Sequence, residues 1–222
     1  RFINVFEFED LSMKTWKSLC HRFLVDNEKK NDENNEKEVS IYHDDKEMNG
    51  LMRHLTDKSG GNIHDNGTIE ITTNSLLYND QNHHPKSLVD YQRENYYASK
   101  NDGSDDAFIC FDFKNKLVNL TSYSIKSNSN KDGWNTLKNW AIEVSNNGKE
   151  WIEIDRRIDE SALRGARVIH TFDVEKKSII YYRFVRLRQT GKTGGSAPNN
   201  YFWFYNIFQF IFASIQEQSV YT

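Results

Sequence analysis

The closest match to a chemical motif in this chain is the triplet Gly191-Lys192-Thr193, which resembles the end of a phosphate-binding loop. That motif opens with a glycine five positions earlier, and its backbone N–H groups hold phosphates ahead of an amphipathic helix. Position 186 carries Arg186 instead, and no amphipathic pattern follows the triplet. The triplet therefore predicts a Gly-rich loop between two strands rather than a nucleotide site.

Metal-binding and catalytic patterns are also absent from the sequence. No two of the seven histidines have the i, i+4 spacing of helical metal ligands, and Cys20 and Cys110 are too distant to complete a zinc site. Asp102, Asp105 and Asp106 form an oxygen-rich stretch whose spacing differs from the twelve-residue calcium loop. No Gly-x-Ser-x-Gly nucleophile elbow occurs. We therefore predict no metal, no cofactor and no enzymatic activity.

Length and charge restrict the class of protein further. The 222 residues are enough for one domain of ~150 residues with a flank. The 29 basic and 32 acidic residues nearly balance, so the chain lacks the basic surface that a nucleic-acid partner requires. No run of about 18 apolar residues occurs, and we expect no membrane span. The chain begins with Arg rather than Met, so we expect it to be a fragment.

The most informative stretch is a predicted hairpin in the second half of the chain. Apolar and polar side chains alternate from Trp140 to Val144, which is the period-2 pattern of a half-buried strand. Asn147-Gly148 predicts a tight type I′ turn, since both residues tolerate positive φ. Trp151 opens the returning strand, and we predict that Trp140 and Trp151 both anchor the core.

Several other stretches also have strand patterns. The predicted strands are 68–74, 86–90, 106–113, 119–126, 139–145, 151–158, 167–174, 180–189 and 202–212. In the run near 185, Val185 and Leu187 face one way, while Phe184, Arg186 and Arg188 face the other. We predict that these arginines lie over the sheet with their stems packed down, and we keep this face as a rival partner surface. Short strands at such spacing predict a sandwich or a barrel, preceded by a short helix near Leu51–Leu55.

The N-terminal residues have a different character. Ser12 is a predicted N-cap, and residues at helical spacing after it form an apolar stripe. The stripe comprises Met13, Trp16, Leu19, Cys20, Phe23 and Leu24. One short helix cannot bury this stripe alone, so it must pack on the sandwich, on upstream helices or on a partner. The polar, highly charged residues that follow predict a solvated linker.

Five segments together resemble one known family. SNNGKEW, YRFVRLRQTG and the aromatic strand YFWFYNIFQFIF resemble the discoidin domain (the coagulation factor V/VIII C-type domain), a galactose-binding-like jelly roll. GGNIHDNGTIEITTNS and AFICFDFKNKLVNLTSYSIKSN match its intracellular branch, in which the domain often follows BTB and BACK helical regions. The resemblance covers roughly 50–212. It implies an all-β jelly-roll β-sandwich preceded by a short N-terminal helical segment.

This resemblance sets the predicted domain boundaries. They are a helical segment at 1–25 that ends an upstream helical domain, a polar linker at 26–48, the discoidin-like sandwich at 49–213 and a C-terminal tail at 214–222. Secreted members usually tie the two ends of the domain with a disulfide, and this chain has no cysteine at either end. Cys20 and Cys110 are predicted to be free thiols, which favours a reducing, cytoplasmic location, with a cytoskeletal assembly as one variant.

The resemblance also implies a binding module. Secreted members bind phospholipid, collagen or carbohydrate through loops at one end of the sandwich, and the counterpart loops here lie near 91–104, 128–138 and 191–201. The predicted binding residues are Tyr96, Tyr97, Trp134, Asn135, Asn199, Asn200 and Tyr201. Aromatic side chains combined with Asn and Gly are typical of recognition surfaces.

Three functions stay open at this point. The first is an intracellular adaptor or scaffold whose loop end binds a protein partner. The second is a structural subunit of a large assembly, such as a cytoskeletal one. The third is a lectin-like carbohydrate binder.

Overall fold

The computed structural model describes residues 38–41, 49–78, 83–90, 96–100, 106–127, 135–194 and 203–217. For 38–41, and for 203–217 except Ile215, it describes the backbone alone. The helical elements are α1 (Leu51–Ser59) and a 3₁₀ helix (Pro85–Val89). The strands of the described part are β1 (Glu38–Ile41), β2 (Glu70–Thr73), β3 (Tyr96–Ala98), β4 (Phe108–Asp112), β5 (Lys116–Ser127), β6 (Trp140–Ser145), β7 (Ile152–Arg157), β8 (Ile169–Asp173), β9 (Phe184–Gln189) and β10 (Trp203–Glu217).

The strands form two antiparallel five-stranded sheets. Sheet A has the order β1-β10-β5-β8, with β3 also paired to β10, and sheet B has the order β2-β4-β9-β6-β7. Consecutive strands often lie in different sheets, so the chain crosses between the layers repeatedly. This arrangement confirms the predicted all-β sandwich. No helix in the described ranges is long and apolar enough to cross a bilayer.

The core lies between the inner faces of the two sheets. Trp140 and Ile142 of β6 are fully buried, as are Phe111 of β4 and Tyr123 of β5. The indole Nε1 of Trp140 donates a hydrogen bond of 2.8 Å to the Tyr123 hydroxyl, which joins the two sheets. The predicted place of Trp140 in the core is therefore confirmed.

The predicted hairpin forms, but its turn is longer than the type I′ turn. Val144 pairs with Ile152, and the described residues between these two do not pair with one another. Gly148 has φ +69°, whereas Asn147 is not among the described residues with positive φ. The Ser145 hydroxyl accepts from the N–H groups of Asn147 and Gly148 at 3.2 and 2.9 Å. Side chains thus supply the hydrogen bonds that a two-residue turn would have supplied through the backbone.

The prediction that Trp151 anchors the core is wrong. Trp151 precedes β7 and is half-buried on the outer face of sheet B, where the Arg186 guanidinium lies 3.9 Å from its ring centroid. The cause is the alternation of side chains along a strand. Because Ile152 pairs with the core residue Val144, its neighbour Trp151 has the opposite parity.

The outer face of sheet B confirms the prediction for its arginines. Arg186 and Arg188 of β9 both form ion pairs with Glu143 of β6, at 2.5 and 2.7 Å. Their side chains are 17% and 27% exposed, so their stems cover the sheet. Glu143 is consequently buried as well, and β6 is covered on both faces.

Three other elements differ from the prediction. The stretch predicted as a strand at 86–90 is the 3₁₀ helix Pro85–Val89, in which Pro85 fixes φ and His84 accepts from the Lys86 N–H. The short strand β3 was not predicted. Strand β1 lies inside the predicted polar linker and pairs with β10, which itself extends past the predicted boundary at 213.

Some predictions fall on residues outside the described ranges. They include the helix at 1–25 with Cys20, and Asp102 and Asp105 of the oxygen-rich stretch. The predicted short helix leading into the domain is confirmed as α1, which buries Leu51, Met52 and Leu55.

Candidate functional site

Loops at one end of the sandwich are joined by hydrogen bonds into a single surface. We call this surface the loop end, and its described residues are 74–78, 98–100, 106–107, 135–139, 159–160 and 190–194. The Asn139 side chain links two of these loops, since its Nδ2 donates to the Lys192 carbonyl at 2.8 Å and its Oδ1 accepts from the Asp159 N–H at 2.9 Å. The Asn135 N–H donates to the Gly194 carbonyl at 3.0 Å.

The remaining loops of the loop end are connected in a similar way. Asn74, just after β2, accepts from the Phe108 N–H at 2.8 Å. The Ser75 hydroxyl accepts from the Lys100 N–H at 2.8 Å, and the Leu77 N–H donates to the Ala98 carbonyl at 2.9 Å. Such contacts hold the loops in one arrangement, which lowers the conformational entropy lost on binding a ligand.

A cleft of about 590 Å³ opens beside β2 at this end. It is lined by Ile71, Thr72, Thr73, Asn74, Ser75, Leu76, Leu77, His84, Pro85 and Lys100. The lining combines apolar side chains with hydroxyl, amide and imidazole groups, and it includes the exposed cation Lys100. Its size lies within the range of about 300–1,000 Å³ that small-molecule sites occupy.

Three aromatic side chains contact one another next to the cleft residues Leu77 and His84 in the chain. Tyr78, His83 and Tyr96 form what we call the aromatic group, in which the His83 ring lies 4.6 Å from Tyr78 and 4.5 Å from Tyr96. Tyr78 is 41% exposed, and the other two are half-buried. Rings packed at these distances hold one another in place and present an exposed aromatic surface next to polar groups.

Two neighbouring histidines, of which His84 lines the cleft, sit in surroundings that favour the neutral ring. His64 Nδ1 accepts from the Ile71 N–H at 3.0 Å, and His84 Nδ1 accepts from the Lys86 N–H at 3.2 Å. Their rings lie 5.3 Å apart. Burial lowers the pKa of both histidines, and nearby Lys86 lowers each pKa further. Neutral rings with Nδ1 occupied as an acceptor carry their proton on Nε2, so His84 brings a neutral donor to the cleft.

This pair predicts a loss of stability in mild acid. The pKa values of both histidines are lower in the folded protein than the value of about 6.5 in the unfolded chain. The stability that the neutral rings contribute is therefore complete above about pH 6.5, and it is lost as the pH falls through the lower, folded pKa values. The melting temperature should therefore drop between about pH 7.5 and about pH 5.5. A His64→Gln, His84→Gln protein, which retains acceptors, should show a clearly smaller drop. An equal drop in both proteins would contradict the assignment.

The predicted binding residues have several different environments. Tyr96 lies in the aromatic group, and Asn135 is a buried loop residue with φ +58°. Tyr97 is fully buried, and its hydroxyl contacts Ser75 and lies 2.9 Å from Thr73 Oγ1, so it is a core residue rather than a contact surface. Trp134, Asn199, Asn200 and Tyr201 lie outside the described residues.

Sequence reasoning missed the cleft and most of the aromatic group. Tyr78 and His83 come from the stretch between β2 and the 3₁₀ helix, whereas Tyr96 comes from β3. The signal that was available is the His83-His84-Pro85 run, because Pro85 fixes the start of the 3₁₀ helix and so orients both rings.

On the outer face of sheet B, the rival partner surface, the arginine side chains are already paired with carboxylates. Burial alone raises the pKa of Glu143, but hydrogen bonds from Arg188 and Arg186 outweigh burial and lower it. Arg183 forms a bidentate pair with Asp112 at 2.7 and 2.8 Å.

Cys110 lies in the same sheet as a free, buried thiol, and burial raises its pKa to about 11. Among the described residues, no group of three or more His, Cys, Asp or Glu side chains could hold a metal ion.

Comparison with protein families identifies the class. The family model for the F5/8 type C domain matches residues 70–202, which is more than half of the chain. This protein therefore belongs to the F5/8 type C (discoidin) family, a family of non-enzymatic binding modules. The comparison with curated proteins found no match.

Several solved structures are similar to this chain. The F5/8 type C domain of a Bacteroides fragilis protein has 15% identity and a TM-score of 0.49, over 70% of this chain and 95% of that one. CpGH89CBM32-5 from Clostridium perfringens, in complex with GalNAc-β-1,3-galactose, has 12% identity and a TM-score of 0.47, over 67% and 95%. The family 32 CBM from C. perfringens NanJ, in complex with galactose, has 12% identity and a TM-score of 0.46, over 68% and 95%.

Proposed function

We propose that this domain is a lectin-like module that binds a short carbohydrate in the cleft at the loop end. The observation that carries the proposal is that Tyr78 and His83 of the aromatic group directly adjoin the cleft residues Leu77 and His84 in the chain, so exposed rings come next to polar cleft groups. A sugar ring has an apolar C–H face and a rim of hydroxyls, so it needs an aromatic surface and hydrogen-bonding groups side by side.

The charges in the cleft favour a neutral ligand. Burial lowers the pKa of His84, which favours its neutral form, and Lys100 is the exposed cation among the residues that line the cleft. A phosphate-rich ligand would be expected to meet several cations, as is typical of sites for nucleic acid and acidic lipid. The exposed lining residues Thr72 and Asn74 carry a hydroxyl and an amide, which match the donors and acceptors of a carbohydrate.

A glycan array tests the proposal. The wild-type chain should show saturable binding to a restricted set of glycans. Tyr78→Ala should weaken that binding by about tenfold or more, equal to about 1.4 kcal/mol, because it removes the exposed ring. Tyr78→Phe keeps the ring and should bind nearly as well as the wild type. An array without saturable binding, or equal binding by Tyr78→Ala, would overturn the proposal.

A second function, the binding of a protein partner by an intracellular adaptor, is supported by the width of the loop end. Hydrogen bonds join loops from six parts of the chain into one surface, and this surface extends past the cleft. Stable protein interfaces use about 20–30 residues from each partner. Under this alternative, Trp134→Ala should cost about 2 kcal/mol or more in partner binding, while Tyr78→Ala should cost little.

A further inference from the structure

Three exposed isoleucines lie at the end of the sandwich opposite the loop end. We call Ile152, Ile179 and Ile180 the isoleucine patch, and they are 54%, 65% and 54% exposed. Single exposed apolar residues are ordinary, but a group of large ones at one place marks a surface that another segment covers.

Contacts of the β6–β7 loop place these three residues at the same end. Ile152 pairs with Val144, two residues before Asn146. Asn146 in turn donates to the Tyr181 carbonyl at 3.4 Å and accepts from the Arg183 N–H at 2.9 Å. The segment that carries Ile179 and Ile180 therefore borders the same loop as Ile152.

The start of β1 lies near this end. Glu38 pairs with Gln216 of β10, and Gln216 pairs with Leu117 of β5. On the far side of β5, Val118 is bridged to Tyr182, and the Asn119 side chain donates to the Ser178 carbonyl at 2.6 Å. Four segments thus lie side by side, and three spacings of about 4.8 Å put Glu38 about 15 Å from the 178–182 segment.

We propose that the amphipathic segment 12–25 folds back onto the isoleucine patch. The segment 26–37 that connects it to β1 has twelve residues and can span about 40 Å when extended, well beyond the distance required. The apolar stripe from Met13 to Leu24 provides a surface of the same character as the patch. A helix of this length is marginal alone in water, so it gains its stability by packing its apolar stripe.

Segment 12–25 fits the isoleucine patch better than an unrelated partner does, because it is covalently connected to β1. A segment tethered about 15 Å from its docking surface has a high effective concentration there, so a small apolar contact is enough to hold it. The contact would cover the isoleucine patch, which lies at the end opposite the loop end.

Cys20 makes the proposal directly measurable, because it lies in the apolar stripe. Native full-length chain is treated with N-ethylmaleimide, and modification of Cys20 and Cys110 is followed by mass spectrometry of their peptides. Docking should slow modification of Cys20 by about tenfold or more relative to the urea-unfolded chain. The buried thiol of Cys110 reports in the same sample whether the sandwich is folded.

Substitutions in the patch identify the surface. Ile179→Glu with Ile180→Glu should restore rapid modification of Cys20 while Cys110 stays slow. Ile158→Glu is the matched control, because Ile158 is 74% exposed but follows β7 on the loop-end side, away from the isoleucine patch. This substitution should leave Cys20 protected. Rapid modification of Cys20 in the wild type, or protection that survives the double substitution, would overturn the proposal. Protection that is lost on dilution would also overturn it, since the stripe would then be covered by a second copy.

Discussion

Replacing Trp140 with Ala is expected to remove about 3–5 kcal/mol from the free energy of unfolding. Trp140 is fully buried, its indole N–H donates to Tyr123, and its ring lies edge-on to Phe172 at 5.1 Å. The substitution therefore opens a large cavity and leaves a buried hydroxyl with one hydrogen bond fewer. Since domains of this kind are stabilised by about 5–15 kcal/mol in total, the loss should be plain in a urea titration.

Trp151→Ala is the matched control for this prediction. The same side chain is removed, but from the outer face of sheet B, where Trp151 is half-buried against Arg186 and Phe184. Its loss should cost about 1 kcal/mol, as for a surface cation–π contact. If Trp140→Ala does not fold, Trp140→Phe should still lose about 1–3 kcal/mol through the missing hydrogen bond. Equal losses for the two alanine variants would contradict the assignment of faces.

Asp155→Ala is expected to have an effect of similar size, about 3–5 kcal/mol. Asp155 is buried, and its carboxylate accepts from the Tyr123 hydroxyl at 2.5 Å and from Arg157 at 2.9 Å through two nitrogens. It also accepts from the Glu175 N–H at 3.2 Å. Removing it leaves the buried Tyr123 hydroxyl without its acceptor and the partly buried Arg157 guanidinium without its carboxylate.

A nearby carboxylate on the same strand provides the control. Glu153 pairs with Arg156 on the outer face, where both side chains are partly exposed. Such surface pairs contribute about 0–1 kcal/mol, so Glu153→Ala should leave the urea midpoint almost unchanged. A cost of less than about 1 kcal/mol for Asp155→Ala would show that the buried network does not stabilise the fold as described.

The position of Asp155 shows why sequence alternation predicted only part of this fold. Asp155 of β7 pairs with Ile142 of β6, but the next residue of β6, Glu143, pairs with Glu153. The resulting bulge in β7 turns Asp155 toward the core. Simple alternation would place Asp155 on the same face as Glu153. A bulge has no sequence signal of its own here, and the buried carboxylate could be recognised only once the register was known.

Patterns that depend on local periodicity were predicted well. The alternation in β6 and β9 identified the core side chains Val185 and Leu187 and the arginines of the opposite face. Short strands were less predictable, because β1 and β3 are held by pairing with β10 rather than by their own propensity. The strand predicted at 86–90 failed because Pro85 starts a 3₁₀ helix.

The candidate site could be located in outline but not in its residues. The family resemblance pointed to loops near 91–104, 128–138 and 191–201, and the structure joins described parts of these loops at one end of the sandwich through Asn139 and Ser75. The cleft itself depends on His84 and Lys100, which are brought together with β2 only in the folded chain. Tyr97 was placed with Tyr96 in a loop, whereas β3 directs it into the core.

The claim that the loop end is the binding surface is tested most directly by titrating ¹⁵N-labelled protein with the glycan that binds best. We expect the largest amide shift changes at Thr72, Asn74, Tyr78 and Lys100, and we expect the Trp151 indole signal to stay in place. Largest changes at Trp151, Arg186 and Arg188, with the cleft residues unmoved, would place the binding surface on the outer face of sheet B and contradict the account.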